Sequence, residues 1–144
     1  MYRAFADAPL PARADGRFNR VGEGVTTYLS LAEETAAREV ARRWGAVAAN
    51  RAAYVTVTVP VRLRRVVDLT EADVAAALGV TRETLTGGDL GPGQALAARL
   101  RAAGVEGLLT WSAADPDGTN LVVFLDRLDP ASAVGPPVRA GGSG

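Results

Sequence analysis

Val25-Thr26-Thr27-Tyr28-Leu29-Ser30-Leu31-Ala32-Glu33 is the stretch that decides the fold. Val25 to Ser30 reads as a strand, and Ser30-Leu31-Ala32-Glu33 has the S-x-x-E spacing of a capping box that opens a helix. Ala36, Ala37, Val40, Ala41 and Trp44 then recur at helical spacing as an apolar stripe, while Arg38, Arg42 and Arg43 populate the other side. This helix is expected to end near Gly45 or Asn50.

Upstream of this stretch, Tyr2 to Ala6 is a candidate short strand. Pro9, Pro11 and Gly16 mark a loop that delivers Gly16-Arg17-Phe18-Asn19, and Gly22 and Gly24 punctuate the next turn. Downstream, Ala53 to Val59 alternates with period two, the signature of a half-buried strand, and Pro60 is expected to close it. Arg64 to Leu69 is a further short strand. Thr70-Glu71-Ala72-Asp73 repeats the capping logic for a helix through Leu78, stopped by Gly79, and Thr81 to Leu85 adds a helical turn. Pro92 suits the first turn of a helix that buries Leu96, Ala97 and Leu100 and ends at Gly104. Gly107–Trp111 and Leu121–Leu125 flank the turn Ala114-Asp115-Pro116-Asp117-Gly118 and read as a strand pair. Strands mixed with a few helices, without regular alternation, predict an α+β fold. After Asp129 the composition collapses to Pro, Gly, Ala and Ser, which predicts a folded part over 1–129 and a flexible tail over 130–144.

The 144 residues fit one domain. Without Cys or His there is no disulfide, thiol nucleophile, Cys/His zinc site or histidine base. All sixteen basic residues are Arg, which removes lysine Schiff-base chemistry and the lysine of a phosphate loop. Sixteen acidic residues balance them, and the short cluster Arg62, Arg64, Arg65 lacks aromatic neighbours, so no direct nucleic-acid binding is expected. Charged residues interrupt the first twenty positions and no apolar run approaches a membrane span, so the expected location is cytoplasmic. Catalysis by this chain must rest on carboxylates, hydroxyls, amides and guanidinium groups.

Three such residues suggest themselves: Arg17 for a phosphate or carboxylate, Tyr28 for a planar ligand, and Glu39 as base or cation stabiliser. Each also has a plainer reading. Glu39 and Arg43 stand at i,i+4, the spacing of a solvated surface pair; Tyr28 fits a half-buried core and Arg17 a loop charge. Ser112 and Asn120 bracket the last turn, where local capping explains them as well as a site does. Asp115 and Asp117 do not continue into a calcium loop, and neither Gly22-Glu23-Gly24 nor Gly87 to Gly93 completes a nucleotide-binding fingerprint.

In combination these fragments resemble the RES domain family. Gly16-Arg17-Phe18-Asn19, then Tyr28-Leu29-Ser30 eleven residues after the Arg, Glu39 eleven after the Tyr, and Ser112 with Gly118-Thr119-Asn120-Leu121-Val122-Val123-Phe124 follow the family's order, from Tyr2-Arg3 to about Leu125. The Arg, Glu and Ser of its name match Arg17, Glu39 and Ser112. Asp15 stands where Gly is common, Phe18 where Trp is usual, Arg20 where Pro is frequent, and the segment before Gly16 is short. The resemblance implies an ADP-ribosyltransferase-like split β-sheet with flanking helices around an NAD+ cleft. It implies a toxin that degrades NAD+ by hydrolysis or phosphorolysis, with NAD+ as substrate, phosphate as co-substrate in the second case, and no cofactor or metal. Arg17, Tyr28 and Glu39 would be catalytic, and Arg3, Asn19, Ser30, Ser112 and Asn120 would bind NAD+. The implied partner is an antitoxin with a helix-turn-helix DNA-binding region, in a homo- or hetero-oligomer. A mono-ADP-ribosyltransferase with a protein target and a non-enzymatic NAD-binding module are the alternatives.

Overall fold

A computed structural model describes residues 2–6, 12, 14–44 and 57–139. Among the described residues, eight strands and four α-helices follow in the order β1 (Tyr2–Ala6), β2 (Thr26–Ser30), α1 (Glu33–Trp44), β3 (Val57–Arg62), β4 (Val66–Asp68), α2 (Ala72–Leu78), α3 (Arg82–Thr86), α4 (Gly91–Ala102), β5 (Gly107–Trp111), β6 (Thr119–Phe124), β7 (Ala133–Val134) and β8 (Val138–Arg139). The strands lie in the order β4-β5-β6-β2-β1-β3-β7, with β8 also on β3. Every pairing is antiparallel except β4 with β5. This is the expected α+β class, and the sheet is split: β1 and β2 share one register pair, Phe5 opposite Ser30, whereas β2 and β6 are paired from Thr26–Phe124 to Ser30–Asn120.

Period-two alternation gives each face of the sheet its own core. On β6, Val122 and Phe124 join Leu108 of β5 beneath Leu85, Leu96, Ala97 and Leu100 of α3 and α4. Leu121 and Val123 point the other way, onto Leu29, Ala4, Ala6, Val59 and Val61. Each fully buried Leu, Val or Phe stabilises this arrangement by about 1.5–3 kcal/mol before entropy is counted. Along α1, Ala36 and Val40 are buried as the stripe predicts, while Ala41 is exposed. Among the described residues no helix is long and apolar enough to cross a membrane.

Four local expectations change. Ser30 is not a helix cap; it ends β2 and its hydroxyl donates to Asn120 Oδ1 at 3.0 Å. Thr70 does not cap α2 either, because its N–H and hydroxyl both turn back to Asp68 Oδ1. Pro60 lies inside β3 rather than at its end. Its carbonyl accepts from Gly135 N at 2.8 Å, and its missing N–H falls opposite the break between β7 and β8, where no ladder bond is required. The tail expected to be flexible from residue 130 supplies β7 and β8, since backbone pairing to β3 needs no large side chains. Ala53 to Thr56, part of the predicted third strand, lies outside the described residues.

Candidate active site

Gly16-Arg17-Phe18-Asn19 forms a tight turn in which Gly16 and Asn19 exchange backbone hydrogen bonds of 3.1 and 3.4 Å. Gln94 of α4 holds the turn from outside, donating to the carbonyls of Gly16 and Asn19 at 3.0 and 3.1 Å. Phe18 anchors it in the first core. The Tyr28 hydroxyl accepts from Phe18 N at 2.9 Å and donates to Asn19 Oδ1. A β-carbon at Gly16 would stand 2.7 Å from both Tyr28 Oη and Asn19 Oδ1, which explains the glycine. Burial pushes the Tyr28 phenol up to about 12, against the opposing effects of the Phe18 N–H and the Arg17 charge.

Arg17 leaves this turn toward the end of α3, where Nη1 donates to the carbonyl of Leu85 at 3.2 Å and to that of Gly87. Its proton affinity is lowered, first by burial and then by the positive charge of Arg42; Glu39 and Tyr28 act in the opposite sense. Four groups from the turn, β2 and α1 therefore share one electrostatic neighbourhood. Arg42, three residues beyond Glu39, lies on the same side of α1.

Glu39 is half-buried, and Oε1 accepts from Ser112 Oγ at 2.9 Å and Ala114 N at 3.2 Å. The N–H groups of Ala114 and Asp115 in turn donate to Ser112 Oγ at 3.2 and 3.1 Å. With both acceptor positions of the hydroxyl occupied, its hydrogen is directed at the carboxylate. Ser112 thus caps its own loop, as the plainer reading expects, and also donates to Glu39. The Arg43 side chain lies outside the described residues.

The other candidates divide. Ser30 and Asn120 pair on the face that carries Tyr28. Asn19 is buried and belongs to the Tyr28 turn, with Nδ2 donating to Ala14 O at 3.0 Å. Arg3 is exposed, stacks over Phe5 at 5.9 Å, and has no hydrogen bond to Arg17, Tyr28 or Glu39 among the described residues. Sequence reasoning missed Arg42 and Gln94, for which helical spacing from Glu39 and position in α4 were the available signals. A pocket of about 280 Å³ lies beside the same turn between Phe18, Asn19, Gly24, Gln94, Ala97 and Arg101; Arg17, Tyr28 and Glu39 are not among its walls. Arg101 in that pocket is paired with Asp126.

A split, mostly antiparallel sheet with an Arg, a Tyr and a Glu converging from a turn, a strand and a helix defines a mixed α+β domain of the RES type. A model of the RES domain family matches residues 1–141, and the chain belongs to that family. In structure it is similar to a chain in the crystal structure of the M. tuberculosis MbcT-MbcA toxin-antitoxin complex, with TM-score 0.72 and 20% identity over 96% of this chain and 83% of that one. No curated protein sequence matches it.

Proposed function

We propose that this protein cleaves the nicotinamide–ribose bond of NAD+, transferring the ADP-ribosyl group to water or phosphate, and that a cognate antitoxin neutralises it. The observation that carries the reading is the Glu39 carboxylate, fixed by Ser112 and Ala114 in the electrostatic neighbourhood of Arg17 and Arg42. Loss of nicotinamide, a neutral leaving group, needs no acid; it develops an oxocarbenium-like cation that a held carboxylate stabilises. Attack by water gives ADP-ribose and a proton, and attack by phosphate gives the ADP-ribose phosphate ester. Glu39 stabilises the cation and orients the acceptor. Arg17 binds pyrophosphate or the incoming phosphate, with Arg3 a second cation on β1. The Tyr28 ring packs against nicotinamide, since its hydroxyl is already engaged in the turn. Ser30, Asn120 and Ser112 line the ribose and amide, and Asn19 keeps Tyr28 in place. No cofactor enters this scheme.

The structural neighbour stands in a toxin-antitoxin complex, which supports an antitoxin as partner; we take it to carry a helix-turn-helix region and to act on a cytoplasmic toxin. The test is nicotinamide release from NAD+ by purified, antitoxin-free protein, with and without phosphate, beside Glu39→Gln. Release abolished by the substitution supports the reading, and phosphate dependence identifies the acceptor. Absence of release from folded protein in both buffers overturns it in favour of a transferase or a binding module.

A further inference from the structure

The loop Ser112–Gly118 carries both donors to Glu39, and a second set of contacts fixes where that loop sits. Asp115 is 7% exposed, and its Oδ2 accepts from Thr35 Oγ1 at 2.9 Å. Its Oδ1 accepts from Arg38 Nη1 and from Asp117 N, each at 3.3 Å. Thr35 and Arg38 belong to α1, one turn and one residue before Glu39, and Thr35 is 1% exposed. The loop is closed on itself by Gly118 N to Asp115 O at 2.9 Å and Ser112 N to Gly118 O at 3.2 Å. A β-carbon at Gly118 would meet Thr35 Oγ1 at 2.6 Å and Asp115 Oδ2 at 2.9 Å, so loop and helix are in van der Waals contact where the carboxylate is tied down.

We propose that Asp115 and Thr35 are positioning residues: their buried hydrogen bond registers the 112–118 loop on α1, so that Ser112 and Ala114 meet Glu39 Oε1 and hold that carboxylate in its reactive orientation. Neither residue touches the reacting atoms. The Arg38–Asp115 contact adds little, because Arg38 is half-exposed and shared with Glu34. The buried Thr35 hydroxyl is the element that discriminates, since a loop displaced by a fraction of an ångström misaligns donors that must meet one oxygen. The catalytic half of this proposal rests on the NAD+ reading above; the structural half does not.

The test compares Thr35→Val, which keeps the shape and removes the hydroxyl, with Thr35→Ser, which keeps the hydroxyl. Steady-state nicotinamide release and amide hydrogen exchange at Ala114 and Asp115 are read on the full chain. For Thr35→Val we expect kcat lower by about tenfold, KM within about twofold, and loss of protection at both amides. Thr35→Ser restores both readouts. Wild-type kcat in folded Thr35→Val, or amide protection unchanged by it, overturns the proposal; so does failure of Thr35→Ser to rescue. Where circular dichroism shows Thr35→Val unfolded, Asp115→Ala, which removes the acceptor, carries the same expectations, and wild-type kcat or unchanged amide protection in that folded variant overturns the proposal. If the unsubstituted chain releases no nicotinamide, the NAD+ reading fails, and hydrogen exchange alone then decides whether Thr35 registers the loop.

Discussion

Two glutamates, Glu106 just before β5 and Glu39 in the middle of α1, meet their surroundings in two ways. Glu106 is 1% exposed, and three backbone N–H groups donate to it: Oε1 accepts from Arg64 N and Arg65 N at 2.6 and 2.9 Å, and Oε2 from Asp129 N at 2.6 Å. Burial alone would raise its proton affinity, but the nearby Ser132 hydroxyl and the N–H groups of Asp129, Arg65 and Arg64 outweigh it and hold the carboxyl at about 2. Both oxygens are occupied, and two chain segments, 64–65 and 129, are tied to the start of β5. Glu39 is less enclosed; its described hydrogen bonds converge on one oxygen, and it acts on Arg17 across the site. A carboxylate saturated by fixed N–H groups holds structure. In the proposed function, one held at a single oxygen beside cations is placed for chemistry.

The sharpest way to break this contrast is to exchange the losses. Glu39→Gln removes the charge opposite the developing cation, so kcat for nicotinamide release should fall at least about 100-fold, a loss of ~2.7–4 kcal/mol in transition-state stabilisation. Its melting temperature should stay close to that of the parent. Glu106→Ala leaves three part-buried N–H donors without this acceptor and should cost about 3 kcal/mol of stability, lowering the melting temperature by roughly 10 °C. Calorimetry on both variants decides. Equal destabilisation by the two substitutions would end the distinction drawn between them.

Acid sharpens the same comparison. The folded-state value for Glu106 lies below its ordinary 4.5, so its contribution to stability is complete above that pH and is lost as pH falls toward about 2. The unfolded chain takes up the proton first. Denaturant midpoints measured through this window should fall steeply for the parent and less steeply for Glu106→Gln. Identical slopes would remove Glu106 as the acid-sensitive tie.

Gly93 asks whether the other wall of the site is as rigid as the Glu106 tie. A β-carbon there would lie 2.2 Å from the Arg17 carbonyl oxygen, a backbone atom that cannot swing aside. Gly93→Ala should therefore displace the Gly16–Asn19 turn and destabilise the protein by about 1–3 kcal/mol. A thermal melt indistinguishable from the parent would show that the turn yields.

Legibility followed range along the chain. Val25 to Ser30, the stripe of α1, the αL stop at Gly79 with φ 73° and the β5–β6 pair were readable because each rests on local periodicity or a single backbone requirement. Ser30 misled because S-x-x-E also occurs where the serine ends a strand and finds a cross-strand Asn. Arg17, Tyr28 and Glu39 were chemically eligible, but only the family pattern grouped them, since their proximity comes from three elements packing together. Glu106, Thr35 and Asp115 carried no signal: their partners are backbone amides or side chains 23 to 80 positions away, and no spacing rule reaches across such gaps.

Tyr28 carries the smallest expected effect and separates ring from hydroxyl. Tyr28→Phe keeps the ring, leaving Phe18 N and Asn19 Oδ1 without their partner, and should cost about 1 kcal/mol. The phenol is raised from 10.0 to about 12 in the folded state, so the unfolded chain ionises first and stability falls as pH rises from 10 through 12. The variant should lack that alkaline loss while keeping the acid loss set by Glu106. Unfolding midpoints on both sides of neutrality test this. An alkaline slope that survives in Tyr28→Phe would mean that the hydroxyl is not the titrating group, and that the Gly16–Asn19 turn draws its stability from Gln94 and Phe18 instead.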